Sequence, residues 1–130
     1  MRRNLPSSSA TSSLLTTSLQ EVSIMFGKFG RNKARRKAIK TYKDGIAHAD
    51  ARRYEKAIAN YSNVVDMRQA PLDVRAMARL NRALVYSVQG DIPTACNELT
   101  IVIHDEAASD AVKNSAREKL KRLEKRNSAK

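Results

Sequence analysis

Residues 84–95 read LVYSVQGDIPTA. An apolar-periodic stretch runs to about Tyr86, Gly90 and Asp91 interrupt it, and Ala95 opens the next, a pattern that predicts a tight turn between two short helices. Residues 46–61, IAHADARRYEKAIANY, have the same shape. Laying Ala57 over Ala95, a shift of 38 residues, sets Tyr54 over Ile92, Tyr61 over Leu99, Val64 over Val102 and Val65 over Ile103. Backwards along the chain it sets Gly45 over Ala83 and His48 over Tyr86. The order of sizes has a packing reason. Gly45 and Ala83 are small where a second helix must cross closely, and Ala57 and Ala95 are the small residues facing them. Tyr61 and Leu99, one turn on, fill the space beside that contact, and Val64 and Val102 continue the stripe at helical spacing.

This small–small–large pattern resembles the tetratricopeptide repeat. The second unit, ARLNRALVYSVQGDIPTACNELTIVI, fits through Ala83, Tyr86, Gly90 with Asp91, Ala95 and Leu99. The first fits through Gly45, RRYEKAI (including Tyr54 and Ala57) and Tyr61, and departs at His48, where the family favours an aromatic, and at Arg52 and Arg53, where it favours Gly-Asp. Pro71 comes late for a closing proline, because about four extra residues separate the units. The resemblance spans roughly residues 38–127. It implies an all-α fold of antiparallel helix pairs stacked as a short right-handed α-solenoid, with about five helices. Expected helices are 33–50, 54–68, 72–89, 92–105 and a terminal one over 109–126. In that last helix Val112, Ala116, Leu120 and Leu123 form one apolar stripe that covers the preceding unit. Residues 1–32 are expected to be disordered, 33–127 to form the helical domain, and 128–130 to be a tail.

The family's binding groove, carried over position by position, falls on Ile39, Tyr42, Ile46 and Ala49 of the first helix and Met77, Leu80, Asn81, Leu84 and Val88 of the third. It is largely apolar and suits an amphipathic helix or extended peptide of a protein partner, with Asn81 fixing the partner's backbone. A groove filled by the chain's own N-terminal segment, or by another copy in a homo-oligomer, is an equal alternative. One subfamily clamps the C-terminal carboxylates of chaperone tails with Lys, Asn and Arg. Asn81 matches that clamp, and Lys113 and Arg117 match it if the last helix is shifted by about two residues. Tyr42 and Ile46 stand where it needs Lys and Asn, which argues against tail binding.

Charge adds a second surface. The net charge is +12, but it belongs to the ends. Residues 1–43 hold 10 Lys/Arg against 1 acid and residues 113–130 hold 8 against 2, whereas residues 44–112 hold 7 against 10. Lys33, Arg35, Arg36, Lys37, Lys113 and Arg117 are the candidate anion-binding residues. Nucleic acid is the secondary partner to consider, through phosphates and without sequence preference; the alternative is that the basic ends serve solubility. Residues 1–20 carry nine Ser/Thr with Arg2 and Arg3 as their only charges, which matches an organelle transit peptide. The rival reading is an over-extended start before Met25, and then the protein is cytoplasmic. No apolar run approaches the ~18 residues of a membrane span.

No catalytic pattern emerges: no phosphate loop, HExxH or nucleophile elbow occurs. His48 and His104 stand apart, His48 in a packing slot. The single Cys96 offers neither disulfide nor zinc set and reads as a small packing residue. The sequence therefore predicts a non-catalytic interaction module without metal or cofactor.

Overall fold

Five helices make up the described chain: α1 (Leu19–Asp50), α2 (Tyr54–Asp66), α3 (Leu72–Val88), α4 (Ile92–Ile103) and α5 (Asp110–Ser128). A computed structural model describes the backbone of residues 19–129 and side chains from 32 to 129, with no strand among the described residues. The protein is all-α. Expected and observed ends of α2 to α5 agree within two residues. Asp91 caps α4 by accepting the Thr94 amide at 3.3 Å, and Pro93 pre-sets the first turn. Ser109 caps α5 by accepting the Val112 amide at 3.2 Å.

The first helix differs from expectation, beginning at Leu19 instead of 33. No proline lies between Pro6 and Pro71, and Gly27 and Gly30 each weaken a helix by only about 1 kcal/mol. The Ser/Thr-rich residues 1–18 lie outside the described residues. Two units divide the chain, Met1–Asn32 and Lys33–Lys130. The first is described only by its helical backbone from Leu19.

A 38-residue register runs through that unit at the level of the backbone. Three amides close the turn after α1: Ala51 donates to Ala47 O at 3.1 Å, Arg52 to Ala49 O at 2.9 Å and Arg53 to His48 O at 2.8 Å. The turn after α3 repeats them, with Gln89 donating to Val85 O, Gly90 to Ser87 O and Asp91 to Tyr86 O at 2.9–3.1 Å. The connections onward repeat too: Met67 to Val64 O and Ala70 to Met67 O, then Asp105 to Val102 O and Ala108 to Asp105 O. Both three-residue turns reverse the chain while satisfying carbonyls that a helix end leaves open.

The core follows the same register. One cluster holds Ala38, Ala57, Tyr61, Val64, Ala70, Ala78 and Val85, with Val65 and Val74. The other holds Ala76, Ala95, Leu99, Val102, Ala108, Ala116 and Leu123, with Leu80 and Ala83. The first seven of each are partners across 38 residues. Helix α3 serves both, giving Val74, Ala78 and Val85 to one and Ala76, Leu80 and Ala83 to the other. Val112 and Leu120 of α5 pack half-buried on the second, completing the predicted stripe. Leu99, Val64, Val74 and Val102 are fully buried, each worth about 1.5–3 kcal/mol on leaving water. The alanines let the helices approach closely. Gly45 shows the limit, since a Cβ there would stand 2.7 Å from Tyr61 Cε1.

Candidate functional site

Helices α1 and α3 are tied together along one side. Arg35 Nη2 lies 3.2 Å from Asp73 Oδ2, and Asn81 Nδ2 donates to the Tyr42 hydroxyl at 2.9 Å. Tyr42 and Tyr61 meet with ring centroids 6.0 Å apart at an interplanar angle of 49°, an edge-inclined contact that aromatic quadrupoles favour. Over this floor lies an open groove of about 300 Å³ lined by Ile46, Ala49, Asp50, Tyr54, Tyr61, Asn81, Leu84, Val85 and Val88. Val88 is 63% exposed. Burial pushes the Tyr61 phenol up to about 12, with the neighbouring Tyr42 and, less, Asp50 adding and the Asn81 hydrogen bond opposing. Burial raises Tyr42 also, again opposed by Asn81. Both hydroxyls are therefore neutral hydrogen-bonding groups at physiological pH.

Of the residues expected to form the groove, Ile46, Asn81, Leu84 and Val88 line it, as does Ala49. Tyr42 is not in the lining, and its hydroxyl accepts from Asn81, so one amide donor of Asn81 is committed within the chain. Leu80 is a correction: only 8% exposed, it belongs to the second core cluster. Met77 packs half-buried on the first cluster. Ile39 packs there as well and borders a separate depression of about 410 Å³ with Arg36, Lys40, Lys43 and Asp44.

The repeat-packing residues Ala57, Tyr61, Ala83, Ala95 and Leu99 are buried, and Gly45 lies against Tyr61. Tyr54, Tyr86 and Ile92 pack at the edges of the clusters, and Gly90 occupies the second turn. His48 is half-buried and accepts from Arg53 Nε at Nδ1, 3.0 Å away.

The basic candidates fall on two helices, α1 and α5. Lys33, Arg36 and Lys37 are exposed, Arg35 is paired with Asp73, and Arg117 donates to Asn114 Oδ1 at 2.8 Å. The shift needed for Lys113 and Arg117 to complete a carboxylate clamp is absent: α3 and α5 begin 38 residues apart, at Leu72 and Asp110. In that register Ser115 and Lys119 take the places tested. The Cys96 thiol is pushed up by burial and by the Glu124 charge, which favours the inert thiol. No group of three or more metal-ligating side chains occurs among the described residues, and no described helix is long and apolar enough to cross a membrane.

One polar cluster was not foreseen. Glu98 on α4, 7% exposed, takes Arg79 Nη1 on Oε1 at 2.9 Å and Arg82 Nε on Oε2. Arg82 Nη1 also donates to Ser62 Oγ of α2 at 2.9 Å, so one guanidinium joins three helices. Arg79 and Arg82 stand three apart on α3, and the signal in the sequence is a lone acid, Glu98, inside the apolar-periodic stretch of α4. The cluster locks helix packing and lies apart from the groove lining. No family model matches the chain, and comparison with characterised proteins and solved structures finds no match either.

Proposed function

We propose that this protein is a non-catalytic interaction module of the tetratricopeptide type that binds an apolar segment of a protein partner in the groove between α1 and α3. The observation that carries this reading is the groove itself. It is open, the aliphatic Ile46, Leu84 and Val88 stand over the buried Val85 and Tyr61 in its lining, and Asn81 supplies a hydrogen-bonding group. Such a mixture, apolar walls with a few placed polar groups, suits recognition of a side chain with its adjoining backbone. The strict 38-residue register of turns and core supports the repeat assignment.

A second reading is favoured by one surface. Lys33, Arg36, Lys37, Lys40 and Lys43 are all exposed on one stretch of α1, a cationic face suited to phosphates. One experiment separates the two: capture from the source cell with the full chain and with Leu84→Glu, eluted in rising salt. A protein retained through high salt and lost by Leu84→Glu supports the groove. Nucleic acid released early and equally from both chains assigns binding to the cationic face. A scattering mass that falls on dilution of the pure protein, and does not in Leu84→Glu, means that the groove is filled by a second copy.

A further inference from the structure

The groove has a charge direction. Asp50 is the one ionised side chain in its lining, and no Lys or Arg is among the lining residues. Asp50 is also the last residue of α1, and Val88, on the same rim, is the last residue of α3. Two helix C-termini therefore lie at this end of the groove together with the start of α2 at Tyr54, so the helix partial charges offset one another there and the Asp50 carboxylate itself sets the sign. No basic residue stands in the last turn of α3. In α1 that turn holds only His48, whose Nδ1 accepts from Arg53. The Asp50 charge reaches the floor, adding to the upward shift of Tyr61. Towards the start of the unit α1 changes sign, with Arg36, Lys40 and Lys43 against Asp44 alone, which pairs with Lys40, around the separate depression.

We infer that the groove takes an apolar peptide segment bearing a Lys or Arg, seated with the cation at Asp50 and its aliphatic or aromatic side chain against Ile46, Leu84 and Val88. The inference rests on the reading of this groove as a binding site. It runs against the bulk electrostatics, because a chain of net charge +12 attracts anions at long range. A preference for a cationic ligand is thus a local signature of the Asp50 end.

The test uses three small probes of one shape on the full chain: phenylbutylamine, phenylbutanol and phenylbutyrate, titrated by NMR with the Asn81 side-chain amide and the Leu84 and Val88 methyls as reporters. The amine is expected to bind about threefold more tightly than the alcohol, the size of an exposed ion pair, and the carboxylate more weakly than either. Asp50→Asn brings the amine to the level of the alcohol. Equal binding of amine and alcohol to the unaltered chain, or an amine preference that survives Asp50→Asn, overturns the charge direction and leaves the groove standing. Failure of all three probes, or alcohol binding undiminished by Leu84→Glu, overturns the groove reading and this inference with it.

Discussion

Arg52 holds in the first turn the left-handed backbone that Gly90 holds in the second, with φ 63° at Arg52 and 88° at Gly90. The turn requires the conformation, and only in the second unit does the sequence supply the residue that adopts it without strain. Arg52→Gly is therefore expected to stabilise the fold by about 0.5–1 kcal/mol, the relief of left-handed strain less the extra freedom of glycine in the unfolded chain. Gly90→Ala should cost about 1 kcal/mol by backbone strain alone, since a Cβ there meets nothing within 4 Å. Urea denaturation of the two variants measures both; a destabilised Arg52→Gly would show that the Arg52 side chain matters more than its φ.

Gly45→Ala tests the α1–α2 crossing. The added Cβ would approach Tyr61 Cε1 at 2.7 Å, Cδ1 at 2.9 Å and Asn60 Cβ at 3.2 Å, and the Tyr61 ring is buried in the first core. Overpacking of about 1–3 kcal/mol outweighs the roughly 1 kcal/mol that alanine gains in a helix. A net loss of up to about 2 kcal/mol should lower the melting temperature, and an unchanged melting temperature would show that the ring has room to move.

Glu98→Ala leaves Arg79 and Arg82 facing each other without their shared carboxylate. An expected loss of about 2–3 kcal/mol allows for partial hydration of the more exposed Arg79. Replacing Arg82 by Met together with Glu98 by Leu removes one guanidinium with the carboxylate and should recover most of that loss, because the ion pair is costly chiefly when broken on one side. Chemical denaturation of the single and double variants decides it, and equal losses in both would assign the cost to the Ser62 contact or to packing.

Tyr61 links the fold to alkaline pH. Its phenol ionises near 12 in the folded chain and near 10 when unfolded, so the folded state binds the proton more tightly. The resulting stabilisation is fully present below pH 10 and is lost as pH rises from 10 to 12. Phenolate absorbance should show a tyrosine titrating late, and Tyr61→Phe should flatten the fall in stability over that window. An unaltered fall would place the alkaline sensitivity elsewhere.

Leu80 and Leu84, one turn apart, should respond oppositely to the same substitution. Leu80→Glu buries a charge in the second core and is expected to unfold the domain, whereas Leu84→Glu should keep the helical circular dichroism and lose groove binding. A folded Leu80→Glu would contradict its place in the core.

Much of the helix layout was legible in sequence because packing at a crossing depends on residue size. Gly45, Ala57, Ala83 and Ala95 reported the crossings, and Tyr61 and Leu99 reported what fills them. Leu80 was misplaced because a groove wall and a core wall lie one turn apart on α3 and both accept leucine. The Asn81–Tyr42 bond and the Arg79–Glu98–Arg82 cluster stayed hidden because each joins side chains far apart in the chain, and neither has a local periodicity. Helix α1 starts earlier than expected, and Gly27 and Gly30 weaken a helix less than proline does.

The shared register makes the chain's length quantised. The same hydrogen bonds close both turns, and each core residue of one unit has its counterpart 38 positions on. An insertion of one or two residues within a helix would rotate everything beyond it off its stripe. Added length is therefore tolerable in only two ways: confined to exposed positions of a connection, clear of the buried Ala70 and Ala108, or supplied as a whole period.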